Sequence, residues 1–322
     1  NDGALVLPLN NCGFTDYRPL LQLGFYLTKK ELLFAPGAWD EDVFWFYSKE
    51  FIAKEKINPG DLRALRGESF LDGGIYLLRG ANSKAVIRCT DFRSRPSHAD
   101  QLHVDLWWRG ENIACDAGTY LYSGEGVWRN GLAHTSAHNT VMVDGQDQMK
   151  MVSRFIWTNW SKGRVLQHDE KIWQGEHDGY QRLADPVKYK RTVLSLGEDR
   201  WLVVDQLDGK QSHHYSLHWL LNDFPYEGRE NAILLSLDAM KYKIQFGLLE
   251  GRSVFSVVRG DENSTRGWRS CYYGEKEPAI SAMLETDQPR ACFWTYFGFE
   301  ADVVKVEGSF LKVNSQTVPL AE

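Results

Sequence analysis

The chain has 322 residues, 43% hydrophobic and 25% charged, with a formal net charge of −6. This is a globular composition with no stretch near the roughly 20 apolar residues of a membrane span, and its acidic balance argues against general nucleic-acid binding while leaving room for a local basic cleft. Five cysteines (Cys12, Cys89, Cys115, Cys271 and Cys292) are odd in number and never spaced C-x-x-C, so they indicate neither a disulfide scaffold nor a thiolate zinc site.

The opening stretch NDGALVLPLNNCG has no basic n-region and no long apolar h-region, as expected of a mature start or a fragment. Residues 1 to about 57 are predicted helical. Leu20, Leu23, Leu27 and Leu32 recur at approximate helical spacing, and Val43, Phe44, Tyr47 and Phe51 form a stripe behind an acidic turn headed by Asp40. INPGDLRALRG breaks that pattern. From GIYLLRG onward, alternation takes over in AVIRCTDF, QLHVDLWW, NTVMVDG, YKRTVLSL, WLVVDQL, YSLHWLL, AILLSL, KIQFGLL, RSVFSVV, ACFWTYF and FLKVN, punctuated by turns such as RGEN, LGED and DGKQ. The expected fold is mainly β: a large antiparallel β-sandwich of two or more packed sheets over 58–322, with room for a smaller C-terminal sheet from about 230. The 12 Trp, 14 Tyr and 16 Phe suit sheet packing and also sugar-binding clefts.

The polar density is highest in RPSHADQLHVDLWWRGENIACDAGTYLY, residues 95–122. Alternation sends Leu102, Val104 and Leu106 to one face and His103 and Asp105 to the other. With a tight turn at Arg109 and Gly110, regular pairing sets Asp116 opposite His103, whereas His98 reaches it only through a bulge or bend. His134 and His138 follow in LAHTSAHNTVMVDG. Two imidazoles and one carboxylate make a zinc-like donor set, though such residues near strand ends also satisfy turns.

Three further clusters stand out. Trp128 and Arg129 lie in the Gly-rich loop GEGVWRNGLAH, where a rigid ring and a forked cation suit sugar stacking and carboxylate capture. His177, Tyr180 and Arg182, with Lys188, Lys190 and Arg191, read either as a carboxylate cradle or as a charged edge strand. His214, Ser216 and His218 alternate with Tyr215, Leu217 and Trp219, the pattern of a wet sheet face.

HADQLHVDLWWRGENIACDAGTYLY, RNGLAHTSAHNTVMVDGQDQ, HDGYQRLADPVKYKRTVLSLGEDRWLVVDQLDG and GWRSCYYGEKEP, in that order, resemble the C-terminal β-sandwich of heparinase II/III-like and oligoalginate-lyase-type polysaccharide lyases. The resemblance implies an N-terminal α/α-toroid in the same enzyme, of which residues 1–57 would be a remnant, and an acidic uronate polysaccharide, of alginate or heparin type, as substrate. It implies zinc held by His98, Asp116 and His138. Pro96 stands where some relatives have a further histidine at the reacting sugar. β-Elimination then calls for a group that neutralises the uronate carboxylate (Arg129, Arg182 or an imidazole such as His98), a base such as Tyr120 or Tyr122, and substrate contacts from Trp128 and Tyr180. The main acid and base are expected in the toroid, beyond this chain. Periplasmic or secreted location fits such an enzyme; the alternative reading is a noncatalytic carbohydrate-binding β-sandwich.

Overall fold

The computed structural model of the chain describes residues 10–13, 15–48, 69–238 and 240–320. It falls into two units, Asn1–Arg66 and Gly67–Glu322. In the first, helix α1 (Arg18–Lys29) starts with Pro19 in its first turn, where a missing N–H leaves no bond unmade, and ends at Lys30 in the left-handed region (φ 58). Helix α2 (Glu41–Tyr47) follows. The buried face of α1 is Pro19, Gln22 and Tyr26, while Leu20 and Leu27 of the expected stripe point outward and Leu32 is buried beyond the helix end. Gln22 explains the shift: its amide accepts from Leu33 and Phe34 N–H and donates to Asp40 at 2.7 Å, so a polar group fixes the face. Phe51 lies outside the described residues.

The second unit is antiparallel β. Its strands are β1 (Ser69–Phe70), β2 (Ile75–Arg79), β3 (Ser83–Arg88), β4 (Val104–Trp108), β5 (Glu111–Ala114), β6 (Val141–Val143), β7 (Lys150–Ser153), β8 (Ile156–Thr158), β9 (Gly163–His168), β10 (Ile172–His177), β11 (Lys188–Gly197), β12 (Arg200–Leu221), β13 (Tyr226–Arg229), β14 (Ala232–Leu237), β15 (Met240–Leu248), β16 (Val254–Arg259), β17 (Trp268–Arg269), β18 (Glu277–Pro278), β19 (Ile280–Phe299), β20 (Val304–Glu307), β21 (Phe310–Val313) and β22 (Gln316–Pro319).

Two long strands organise it. β12 and β19 pair antiparallel from Trp201↔Phe297 to Leu221↔Ile280. The first half of β12 carries β11, β10 and β9, and the facing half of β19 carries β15, β14 and β13. The other halves carry β6, the β5 to β1 series, and β16. These two parts of one continuous sheet send Leu78, Ile87, Val104 and Leu106 from one side and Val193, Trp201, Ile233 and Phe297 from the other into one core. Trp108 of β4 stacks on Tyr242 of β15 at 4.6 Å, so the layers meet face to face, as a sandwich requires. β20, β21 and β22 form a separate three-stranded sheet whose Leu311, Val313 and Val318 pack with Leu202 and Trp294.

RGEN and LGED turn as expected, with positive φ at Arg109, Gly110, Gly197, Glu198 and Asp199. DGKQ does not. Residues 208–211 run on inside β12, which bulges between Asp208 and His213. Lys188, Lys190 and Arg191 do not lie on an edge strand either, since β11 runs between β10 and β12. Nor is the 214–218 face uniformly wet: His214 is partly exposed at one end, but Ser216 and His218 are buried.

Candidate functional site

The site lies where β4, β5 and the segment before β6 end together. Ahead of β4 the chain folds back at Leu102, a non-glycine residue in the left-handed region (φ 62), held by Leu102 N–H to the Arg88 carbonyl and by the Gln101 amide bridging Thr90. This is the bend that brings His98 inward. The β4–β5 hairpin shifts register between Leu106 and Trp107 and delivers Asp116 just past β5. Asn139 then locks the third piece: its Nδ2 donates to Val104 O and Cys115 O at 2.9 and 3.1 Å, and its Oδ1 accepts from Leu220 N–H at 2.6 Å. His138 is thereby fixed beside Asp116.

One ligand atom each from His98, Asp116 and His138 lies within 4.8 Å of the others. His138 Nδ1 is 3.1 Å from Asp116 Oδ2, and Asp116 Oδ1 accepts the Gly118 N–H at 2.7 Å. His98 Nε2 is 3.0 Å from Thr119 Oγ1. Burial, then the neighbouring His138, pushes the His98 pKa down to about 4, so its imidazole is neutral near pH 7. Burial works against the Asp116 charge, yet His138 and the other two histidines outweigh it and hold the carboxyl well below its usual range. The Nε2 of His138 is buried without a hydrogen-bond partner. Two imidazoles, a carboxylate and a buried nitrogen with no hydrogen-bond partner make a donor set that fits a divalent metal ion.

His103 also comes near Asp116, although the register shift removes the regular pairing that would set the two directly opposite. Its Nδ1 accepts the Asn139 N–H at 3.0 Å, which leaves its proton on Nε2, 3.6 Å from both Asp105 and Asp116. At that distance it makes no hydrogen bond to either carboxylate and faces them only as a buried neighbour. Behind the site His218 contacts the His138 carbonyl at 3.0 Å and Ser281 at 2.9 Å, and burial pushes its pKa down to about 3. Asn139 was missed by sequence reasoning, because its partners are backbone groups far along the chain, and His218 was read only as part of a sheet face.

Thr119 leads from His98 to Tyr120, whose partly exposed ring meets Trp128 edge-on at 5.5 Å. Trp128 closes a short 3-10 turn (Gly126–Trp128), and Arg129 beside it is exposed. Tyr122 packs on Tyr273 at 4.9 Å and Phe155 at 5.0 Å. His134 is drawn away from the cluster by Asp147, at 2.7 Å. Arg182 donates to the Asp147 carbonyl and lines a different recess with His134 and Lys150. Tyr180 is no surface contact: it is fully buried and its hydroxyl donates to the Val141 carbonyl at 2.9 Å. Arg191, expected on the surface, is fully buried against Asp205.

The description "Heparinase II/III-like, C-terminal" belongs to a family whose profile matches residues 63–297. A heparin-sulfate lyase of Bacteroides stercoris is 26% identical over 282 residues, covering 83% of this chain and 39% of the relative. Another, from Pedobacter heparinus, is 25% identical over 136 residues, covering 41% of this chain and 19% of the relative. The crystal structure of heparan sulfate lyase HepC from Pedobacter heparinus superposes with a TM-score of 0.66 at 18% identity, covering 96% of this chain and 49% of that one. That likeness is one of fold. The chain spans about two fifths or less of the length of the curated relatives it matches.

Proposed function

Because the chain belongs to the heparinase II/III-like family through its C-terminal domain, we propose that it is the C-terminal part of a polysaccharide lyase acting on uronate-containing glycans of the heparin or heparan type by β-elimination. The observation that carries this reading is that the matched span encloses all three converging side chains, His98, Asp116 and His138. The names of the two curated relatives supply the substrate class.

β-Elimination needs no water. A base takes the C5 proton, that electron pair becomes the C4–C5 double bond, and O4 leaves with a proton from an acid, while a cation or donor stabilises the enolate-like carboxylate. A bound dication would supply a fixed positive charge that cross-links three loops. Around it, Thr119 and the buried His98 keep the Tyr120 segment in one position. Tyr120 and His98 are the proton-transfer candidates on this chain. Arg129, exposed beside Trp128, is suited to a uronate carboxylate, and the Trp128 ring to a sugar face. Arg182 is the candidate for a more distant anionic group. The main acid and base are assigned to the helical domain that the resemblance implies ahead of this unit.

The test is the ultraviolet absorbance of the unsaturated uronate, which only elimination creates. It is run with heparan sulfate and alginate on this chain and on a form extended through the preceding helical domain. A rise on heparan sulfate with the extended form is expected. Glycan binding without any rise in either form would replace the lyase with a noncatalytic carbohydrate-binding module.

A further inference from the structure

Residues 266–278 lie as a strap along Ala117–Tyr122, the stretch directly after Asp116. Ser270 N–H donates to Ala117 O at 2.8 Å, Gly274 N–H donates to Tyr120 O at 2.9 Å, and Ser270 Oγ donates to Thr119 O at 3.0 Å. The strap sets Trp268 edge-on to Trp128, with centroids 6.0 Å apart, and Trp128 in turn meets Tyr120. Lys276 reaches into this group: its ammonium is 3.3 Å from the Trp268 centroid, 4.2 Å from Trp128 and 5.9 Å from Tyr120. The neighbouring Glu277 is taken by Arg269 at 2.6 Å, and among the described residues no carboxylate is within ion-pair distance of Lys276. All four side chains are only partly buried. Ring faces hold a cation in place without neutralising it. The result is an ammonium with its charge unspent, fixed between flat apolar surfaces.

We propose that Trp128, Trp268 and Lys276 form a subsite for one anionic sugar residue, the carboxylate or sulfo group on the ammonium and the sugar against the parts of the indoles that Lys276 leaves uncovered. Through Tyr120 and Thr119 the subsite is continuous with His98. The inference deepens the lyase reading and rests on it for the substrate class, but its test is a binding measurement that elimination does not enter.

Size-defined heparan sulfate oligosaccharides and their desulfated counterparts are titrated into this chain, followed by calorimetry and tryptophan fluorescence. Lys276→Gln is expected to weaken binding about tenfold, the worth of one charge-assisted contact, with Lys276→Arg restoring it. Trp268→Ala is expected to weaken it as well, with unchanged circular dichroism. Affinity kept for desulfated chains assigns the carboxylate as the anion, and affinity lost assigns the sulfo group; both support the subsite. Equal affinity of Lys276→Gln and the parent chain, or no binding of any oligosaccharide by the parent, overturns it. Elimination by the extended form alongside a neutral Lys276→Gln would sink the subsite alone. Lys276-dependent binding without elimination would sink the lyase alone.

Discussion

Arg191 spends its buried donors on groups that frame the site. Its Nε and Nη2 bond Asp205 at 2.5 and 3.0 Å, and its Nη1 bonds the carbonyls of Leu102 and Asn139, the residues just before His103 and just after His138. Removing it would strand a buried carboxylate and loosen both loops. Arg191→Met is therefore expected to cost about 3–5 kcal/mol, measured by urea unfolding. At the site, His98→Ala and His138→Ala are expected to abolish stoichiometric binding of the proposed divalent ion in metal analysis of the purified protein, whereas His103→Ala, which makes no hydrogen bond to Asp116, should keep it. The types and order of His98, Asp116 and His138 were legible in the sequence, but Arg191 and Tyr180 were misread as surface groups. Their burial depends on partners such as Asp205 and Val141, which strand pairing brings near and residue spacing does not reveal.

Single strands were readable because alternation survives wherever one face is buried, as in β3 and β4. The DGKQ stretch failed because Asp-Gly is a turn signal only when the flanking runs pair with each other. Here both runs pair with β19, and the local preference is reduced to a bulge. That bulge is stapled by His213, whose two ring nitrogens are 2.7 Å from Asp144 and 2.9 Å from Asp185. Burial opposes the charged imidazole, but hydrogen bonds to these carboxylates outweigh it and raise the pKa. A raised value means stabilisation that is complete below the unfolded pKa of about 6.5 and lost as pH rises through the folded one. Chemical denaturation of the parent and His213→Gln should therefore converge as pH is raised from mildly acidic to alkaline. A constant gap between them would refute the assignment.

For the whole β unit, the sandwich class followed from many short alternating runs, yet its two longest strands did not. Residues 280–290, including Pro289, lack the pattern of a strand and are extended because β12 and β16 template them. β12 and β19 therefore belong to both layers at once. Neither layer has a seam along which it could swing, since any rotation would have to fracture the same two ribbons. Scanning calorimetry of the β unit should accordingly give one endotherm rather than two.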